Sequence, residues 1–421
     1  MKITKISAYE ILASGGYPTI EAYVELEDGS HATASVPYGA SAGSHEATVM
    51  MDGDAKRWNG KGMQNAIDKI TKVLAPALIG QDAYDQRAID QLMIDLDGTP
   101  NKANLGGNSI LALSIAVANA AASSKKVELY RHIMDTFKTG VDLKTLPQPM
   151  VVAIEGGKHA DETTDLQEFC FSAIRKSSVK ENVRMIMECY HALAKVLKKN
   201  KLSTNVGNEG AFAPNGIPTN EAPFTYMSEA IELAGYKPKD EVGFSIDAAA
   251  SEFYQDGNYN LAVEKRVLTP DELIAYYESW FKKYPIVTIE DGLHEDDWDN
   301  WTKLKVVTDK YGIPLIGDDL TVTNPVRLQK AIDQNAISAI LIKLNQIGTL
   351  TETVDCCLLA KKNGLMTTTS HRGGGETNDA TMVDVAVAVG SAFIKVGPTR
   401  GERVSKYNRL MAIERQLSNE S

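Results

Sequence analysis

The sequence predicts an α/β protein in which a small α+β domain is followed by a TIM-type β/α barrel. Two changes in hydrophobic patterning lead to this prediction. Residues 1–60 alternate in short β-type runs broken by Gly and Pro, and from about 62 to 137 apolar residues recur three or four positions apart, as in helices. After residue 149, short apolar runs alternate with amphipathic helical segments.

The first domain is expected to be a sheet followed by helices. Its strand-like runs include EAYVELED and HATASVPY, and its helical runs include NAIDKITKVLAPAL, DQRAIDQLMIDL and SILALSIAVANAAA. A linker is expected at 139–144 and at LPQP, 146–149, because Gly and Pro interrupt the pattern there. The predicted domains are therefore residues 1–138 and 145–421.

The second domain is expected to contain parallel strands. Its strand candidates are mostly continuous apolar runs, which is typical of strands covered on both faces. Repeated βα units of this kind favour a barrel, and a doubly wound open sheet is the alternative. No GxGxxG follows an early strand and no GxxxxGK[ST] occurs, so the usual nucleotide fingerprints are absent. The candidates are VGFSID, IVTIED, PLIGDD, AILIKLN, LMTTTSH and FIKVG.

Composition indicates an ordinary globular protein with an acidic balance. The chain has 421 residues, 43% of them hydrophobic and 24% charged, and a formal net charge of −11. This charge disfavours a nucleic-acid surface, because phosphate backbones are bound by clustered positive charge. It does not disfavour an anionic substrate, since a few cations or a bound metal can dominate the field inside a pocket.

The cysteines and the N-terminus favour a reducing, cytoplasmic compartment. The four cysteines form no CxxC motif and are read as buried reduced thiols. The N-terminal stretch MKITKISAYEILASGG lacks the apolar core of a signal peptide, and no run approaches the ~20 apolar residues of a membrane span.

Charged or polar residues stand at or near the ends of the predicted barrel strands. Most are spaced by about one βα unit, and the carboxyl ends of parallel strands converge on the face that carries catalysis in barrels. Helix capping could explain one or two of the carboxylates. It does not explain Lys343 inside ILIKLN, because a buried lysine is costly unless paired or functional. These residues are Asp247, Glu290, Asp318, Lys343, His371 and Lys395.

This set of residues predicts metal-assisted acid–base chemistry. Three carboxylates without a cysteine ligand form a hard oxygen site, which favours Mg²⁺ over zinc. A lysine that is desolvated near a divalent cation is expected to have a lowered pKa, suited to a general base. The sequence therefore suggests proton abstraction next to a substrate carboxylate, with the metal stabilising the charge that develops.

Eight runs, in order along nearly the whole chain, resemble the glycolytic enolase family. They are HADETTDLQEF (159–169), GNEGAFAPN (207–215), IDAAASEFY, TIEDGLHEDDW, IGDDLTVTNP, LIKLNQIGTLTET, SHRGGGET and KYNRLMAIE. Enolase-superfamily enzymes are known to combine a metal with a lysine or histidine base, which is the arrangement suggested above.

The resemblance implies a barrel with a smaller N-terminal capping domain and a role for each matching residue. Asp247, Glu290 and Asp318 resemble the ligands of the tightly bound Mg²⁺, and a second Mg²⁺ is expected with the substrate. The other implied roles are a base, Lys343; an acid, Glu209; its supporting groups, Glu168 and Gln167; a loop histidine, His159; phosphate and carboxylate ligands, Arg372 and Lys395; neighbouring substrate contacts, His371 and Gly373; and a mobile-loop serine near the second metal, Ser41.

The resemblance also implies an activity and an assembly. The expected reaction is the reversible dehydration of 2-phosphoglycerate to phosphoenolpyruvate in glycolysis and gluconeogenesis. The expected assembly is a homodimer, or an octamer built from dimers. Family members are also known to bind partners at bacterial surfaces, so the cell surface is a second expected location, although this chain lacks the C-terminal lysine pair often linked to that role.

The sequence departs from the enolase pattern near the expected substrate site. Glycine stands for the family's arginine at Gly15 and for its serine at Gly373, where there is also one extra glycine. Tyr38 replaces a serine, Glu155 an asparagine and Asn208 an aspartate. Loss of the serine hydroxyl predicts altered phosphate binding, by ~1–3 kcal/mol unless backbone N–H groups replace it.

Three alternatives remain open at the level of sequence. A divergent enolase-like enzyme could act on a related 2-hydroxy acid, and a surface-binding protein could be non-catalytic. The run Gly39-Ala40-Ser41-Ala42-Gly43 matches GxSxG, but a serine-hydrolase elbow leads directly into a helix, and SHEATVMMDGD has no helical period.

Overall fold

The N-terminal part of this computed structural model is a three-stranded sheet packed against helices. The structure describes residues 1–39, 43–161 and 163–420. A 3₁₀ turn, Trp58–Gly60, precedes the helices, and a π-helical turn, Ile70–Leu74, joins the first two of them. The elements are β1 (Ile3–Leu12), β2 (Pro18–Leu26), β3 (His31–Ser35), β4 (Tyr38–Gly39), α1 (Gln64–Lys69), α2 (Ala75–Leu78), α3 (Gln86–Asp97), α4 (Gly107–Lys125) and α5 (Leu129–Phe137).

The sheet buries one face against the central helix α4. Strands β1, β2 and β3 are antiparallel in that order, and alternate residues of β2, including Ile20, Ala22 and Val24, are buried. Helix α4 is Ala-rich and buried over nearly all of its first 16 residues, which lets it approach the sheet closely. The predicted sheet-then-helices order is confirmed.

The C-terminal part is an eight-stranded closed barrel with its helices outside. A small antiparallel sheet is inserted after the third barrel strand. The elements are β5 (Gln148–Glu155), β6 (Glu168–Ala173), α6 (Val179–Lys199), α7 (Ala222–Leu233), β7 (Val242–Asp247), β8 (Tyr254–Gln255), β9 (Asn258–Leu261), β10 (Arg266–Leu268), α8 (Pro270–Lys283), β11 (Ile286–Glu290), α9 (Trp298–Lys310), β12 (Leu315–Gly317), α10 (Pro325–Asp333), β13 (Ala339–Ile342), α11 (Leu344–Ile347), α12 (Leu350–Lys362), β14 (Met366–Ser370), β15 (Gly374–Gly375), α13 (Thr381–Val389), β16 (Phe393–Val396) and α14 (Gly401–Glu420).

The predicted barrel is confirmed, but its strands are not all parallel. The closed order is β11-β12-β13-β14-β16-β5-β6-β7, and β6 runs antiparallel to both β5 and β7. The open doubly wound alternative is therefore wrong. The sequence did not reveal β5 or β6, and β5 begins at Gln148, inside the predicted linker. Because β6 is reversed, its first residue, Glu168, lies beside the last residue of β7, Asp247.

The barrel strands are buried on both faces, as their apolar runs predicted. Every residue of β6, β7 and β13 is buried. The helices outside are fixed by local signals such as the capping box at α8, in which the Thr269 hydroxyl accepts the Glu272 N–H and the Glu272 carboxylate accepts the Thr269 N–H. The inserted sheet β8–β10 accounts for the unusually long separation between Asp247 and Glu290.

The N-terminal part contacts the carboxyl-terminal end of the barrel. Strand β4 pairs antiparallel with β15, and Ala47 N–H donates to the carbonyl of Gln346 at 2.8 Å. The buried Lys102 ammonium pairs with Glu352 of α12 at 2.9 Å. These contacts bring the segment around Gly43–Ala47 to the barrel mouth.

Within the described residues, no single helix combines the length and hydropathy of a membrane span. The bent pair α4 and α5, which meet at 101°, passes that test jointly on length and composition alone.

Candidate active site

The residues singled out in the sequence lie at the same end of the barrel. Asp247 and Glu290 are the last residues of β7 and β11, and Asp318 follows β12 directly. Lys343 and His371 immediately follow β13 and β14, and Lys395 lies within β16. Parallel strands deliver these residues to one face because their carboxyl ends lie at that face, whereas Glu168 reaches it because β6 is reversed.

Lys395 holds three of the carboxylates together. Its buried ammonium lies 2.8 Å from Glu168, 2.9 Å from Asp247 and 2.7 Å from Glu290. Burial alone would favour the neutral amine, but attraction by Asp247, Glu168 and Glu290 raises the pKa of Lys395 well above its ordinary value. Lys395 is therefore an ammonium fixed at the floor of the site. Gln167 adds a long amide contact, 3.5 Å from Asp247.

Lys343 lies beside the third carboxylate. Its ammonium donates a short hydrogen bond to Asp318, whose other oxygen accepts from the Gln346 amide at 2.8 Å. Burial lowers the pKa of Lys343, but attraction by Asp318 and Glu290 outweighs it, so the net pKa is raised. Interactions within the protein therefore raise the pKa of Lys343, whereas the sequence predicted a lowered pKa.

The other side of the site is a cluster of two carboxylates and two histidines. His159 Nδ1 lies 3.3 Å from Glu168 and 3.5 Å from Glu209, and His371 Nε2 lies 3.2 Å from Glu209. His371 Nδ1 faces the carbonyl of Lys395 at 3.0 Å. Since a carbonyl only accepts, Nδ1 carries the ring proton, and Nε2 is the ring nitrogen that faces Glu209.

The charges in this cluster favour an imidazolium at His159. Burial opposes the charged ring, but attraction by Glu209 and Glu168 raises the pKa of His159 to about 9. Burial also raises the pKa of Glu209, yet the two histidines together lower it below the ordinary glutamate range. The proton of the His159–Glu209 pair therefore lies on His159 in this conformation.

Acid and base candidates line one small cavity. Its volume is about 10 Å³, close to the space for a single water molecule, so a substrate fits only after some lining group moves. His159 lies in the 3₁₀ turn Gly157–His159 that follows β5. The lining residues are His159, Gln167, Glu168, Glu209, Lys343, Ser370, His371, Arg372, Gly373 and Lys395.

Arg372 is held by a residue of the N-terminal part. Its buried guanidinium Nη1 donates to both carboxylate oxygens of Glu46, each at 3.0 Å. Burial opposes the cation, but attraction by Glu46 and Asp318 raises the pKa of Arg372. Arg372 is therefore a fixed positive charge at the cavity wall, suited to a phosphate.

Gly373 makes room for His159. A Cβ atom built on Gly373 would lie 2.6 Å from His159 Nε2 and 2.8 Å from a Glu209 carboxylate oxygen. Real Cβ contacts are not this short, so any side chain at position 373 requires His159 or Glu209 to shift. The glycine that departs from the enolase pattern thus permits this position of His159.

The buried carboxylates provide a chemically suitable site for a divalent cation. Burial and repulsion from Asp247 and Asp318 raise the pKa of Glu290 well above its ordinary value, although Lys395 and Lys343 oppose this. Negative charge is therefore incompletely compensated by the protein itself. The all-oxygen donor set fits Mg²⁺.

A second carboxylate group adjoins the first. Oxygens of Asp291, Asp318 and Asp319 lie within 4.8 Å of one another. Among the described residues, two further groups meet this distance, namely His159 with Glu168 and Glu209, and His45 with Glu295 and Asp296. Asp247 and Glu290 instead share Lys395, so the predicted triad is divided between the two lysines.

Several site residues were assigned no role in the sequence analysis. Glu155, the last residue of β5, would have been found by the strand-end rule had β5 been recognised. Asp291 accepts the N–H groups of Asp318 and Asp319 and follows another strand end. Glu46 lies in an irregular segment, and no sequence signal marked it.

One predicted site residue, Ser41, lies outside the described residues. The segment after it, residues 43–57, forms no helix. A nucleophile elbow requires a helix there, so the described part of this segment does not support the serine-hydrolase alternative.

The fold and site define a β/α-barrel protein with ionisable acid–base groups and a carboxylate cluster at the carboxyl ends of its strands. Comparison with family models gives two matches, to "Enolase, N-terminal domain" over residues 3–133 and to "Enolase, C-terminal TIM barrel domain" over residues 143–421. The chain belongs to the enolase family. Family membership indicates a lyase-type enzyme that acts on a small molecule and normally uses Mg²⁺.

Proposed function

We propose that the protein catalyses the reversible dehydration of 2-phosphoglycerate to phosphoenolpyruvate. The observation that carries this proposal is that Lys343 and Glu209, a base and an acid candidate on different elements, line one cavity together with Arg372. Dehydration of a phosphorylated 2,3-substituted acid needs these three functions at once: proton removal, protonation of a leaving hydroxyl and phosphate binding.

Lys343 would remove the proton from C2. The nitrogen takes the proton, the C–H electron pair forms the C2=C3 double bond, and the C3–O bond breaks. For this step Lys343 must be a neutral amine, whereas Asp318 holds it as an ammonium. A competing cation on Asp318 would release that hold.

Asp247, Glu290 and Asp318 would hold the Mg²⁺ implied by the family, through their carboxylate oxygens. When bound, Mg²⁺ would supply positive charge against the negative charge that builds up on the substrate carboxylate. Lys395, fixed by its carboxylate partners, adds a second positive charge at the same floor.

Glu209 would give its proton to the departing hydroxyl, which leaves as water. In the present conformation His371 and the imidazolium of His159 together lower the proton affinity of Glu209. Movement of His159 out of the cavity would remove that cation and raise the proton affinity. Substrate entry would thus be linked to the proton affinity of the acid, because His159 contributes to both.

Arg372 would bind the phosphate, with the backbone N–H groups near Gly373 in place of the missing serine hydroxyl. Glu46 already occupies one nitrogen of the guanidinium. This contact orients Arg372 and also keeps the negative charge of Glu46 near the phosphate. The strength of phosphate binding therefore depends on the positions of both side chains.

An isotope-exchange assay with matched variants tests the proposal. Wild-type protein with Mg²⁺ and 2-phosphoglycerate should generate enol absorbance. In D₂O, Glu209→Gln should exchange the C2 proton without forming product, whereas Lys343→Ala should do neither. Lys305→Ala, which removes a buried lysine paired with Asp309 away from the cavity, is the control and should keep both activities. Absence of enol product from wild type at high protein concentration overturns the proposal.

A second candidate substrate is a related 2-hydroxy acid with a weaker or absent phosphate contact. The observation that favours it is the close approach of His159 to Gly373, which occupies space at the expected phosphate subsite. C2 exchange with an unphosphorylated 2-hydroxy acid at rates equal to or above those with 2-phosphoglycerate would select this candidate.

A cytoplasmic location, which the cysteines favour, and a homodimer or an octamer of dimers, which the family resemblance implies, are further parts of the proposal. Light scattering of the purified protein distinguishes these assemblies from the 45.8 kDa monomer.

A further inference from the structure

Glu155 lies directly behind the segment that carries Glu209. Its fully buried carboxylate accepts the Glu209 N–H at 3.1 Å through one oxygen and the Ala211 N–H at 3.0 Å through the other. Gly207 packs against the same carboxyl group, since a Cβ atom there would lie 2.5 Å from Glu155 Cδ. The segment 207–211 is therefore folded around this side chain.

The segment has further anchors that do not involve Glu155. Tyr190 and Thr399 donate hydroxyl hydrogen bonds to the carbonyl of Gly210, at 2.8 and 2.9 Å. Arg400 donates to the carbonyl of Gly207 at 2.7 Å. Because these anchors remain, a change at Glu155 that keeps its size alters charge more than backbone position.

The charged and titratable groups that act on Glu155 are mostly acidic. Glu209 lies on the segment in front, Glu168 on the neighbouring strand β6, and Tyr190 on α6. His159 acts in the opposite direction and favours the ionised carboxylate of Glu155. No ion pair to Glu155 occurs among the residues that the structure describes.

We propose that Glu155 is a positioning residue that holds Glu209 by its backbone and sets the proton affinity of Glu209 through its own charge. This inference rests on the proposed acid role of Glu209. When Glu155 is ionised, a second negative charge lies next to Glu209 and favours retention of the Glu209 proton. When Glu155 is protonated, that repulsion is absent.

The charge state of Glu155 supports this role. Burial, reinforced by repulsion from Glu209, raises the pKa of Glu155 to about 8 in spite of its backbone hydrogen bonds. Glu155 therefore changes charge in the neutral-to-alkaline range. Dehydration by the wild type should therefore persist to higher pH than dehydration by a variant that lacks the Glu155 carboxylate.

Coupling between two sites is reciprocal, so it is measurable without turnover. The infrared carbonyl band of a buried protonated carboxyl should disappear in wild type with a midpoint near pH 8. It should be absent in Glu155→Gln, which keeps an acceptor oxygen. In Glu209→Gln the midpoint should fall by about one pH unit, a tenfold change in proton affinity, because one repelling charge is gone. Asp90→Asn, a buried carboxyl variant away from the cavity, should leave this band unchanged.

Turnover gives the second readout. The ratio of wild-type to Glu155→Gln dehydration rates should increase several-fold between pH 7 and 9.5, while a purely structural role gives a ratio independent of pH. A flat ratio, a missing band, or the same midpoint in wild type and Glu209→Gln overturns the inference. Lack of wild-type activity on 2-phosphoglycerate instead defeats the proposed function, and the infrared midpoints still decide the coupling.

Discussion

The ring of Tyr38 lies against the backbone of Gly375, so closely that a Cβ atom on Gly375 would come within 2.7 Å of two ring carbons. The Tyr38 hydroxyl reaches toward Gly15, whose own Cβ position lies 2.7 Å from the carbonyl oxygen of Gly374. Two departures from the enolase pattern, Tyr38 and Gly15, therefore pack together against the glycines that follow Gly373. They join the N-terminal part to the segment that follows Arg372.

Gly375→Ala should destabilise the protein by about 1–3 kcal/mol, because the added methyl group overpacks against Tyr38 and the backbone it pairs with. Calorimetric unfolding measures the loss. Gly401→Ala is the matched control, since nothing lies within 4 Å of its Cβ position. Equal melting temperatures for the two variants would contradict the packing argument.

Mg²⁺ should stabilise the wild type against thermal unfolding. A ligand that binds only the folded state at a hundredfold excess over Kd contributes about 2.7 kcal/mol. Glu290→Gln should lose most of this shift, and Asp271→Asn, at an exposed carboxylate, should keep it. A Mg²⁺-induced shift that survives in Glu290→Gln would place the ion elsewhere.

Lys395→Met should be strongly destabilising at neutral pH. Removing the ammonium leaves Glu168, Asp247 and Glu290 buried without their shared partner, and breaking a buried ion pair costs about 3–5 kcal/mol. Lys305→Met is the control, because its partner Asp309 is half exposed and water can solvate it. Chemical denaturation should separate the two variants clearly; similar midpoints would argue against the central position of Lys395.

The imidazolium of His159 should make stability depend on pH. Burial opposes the charge, but Glu209 and Glu168 raise the pKa of His159 from 6.5 to about 9. The folded state thus binds this proton more tightly than the unfolded chain. The resulting stability, of the order of 3 kcal/mol, is fully present below pH 6.5 and is lost as pH rises through 9.

Thermal melts between pH 6 and 9.5 test this dependence. Wild type should lose stability relative to His159→Gln over that interval, and His31→Gln, at an exposed histidine, should follow the wild type. Parallel curves for wild type and His159→Gln would show that His159 is neutral in the folded protein.

The fold class and the face on which the site lies follow from the sequence alone. Apolar runs that end in Asp247, Glu290 or Lys343 are sufficient to predict both. Strand period and burial are local properties of the sequence, and parallel strands place their carboxyl ends on one face. The same logic failed for β5 and β6. An antiparallel strand carries its site residue at its start, and Glu168 therefore gave no strand-end signal.

Which charged groups meet depends on the three-dimensional packing. Asp247 and Glu290 both pair with Lys395, which is distant from them in the chain. Glu46, from the N-terminal part, binds Arg372. Glu155 accepts the backbone N–H of Glu209. These pairings depend on long-range packing across elements. Electrostatic coupling depends on distance and burial, and neither quantity is encoded in the spacing of residues along the chain.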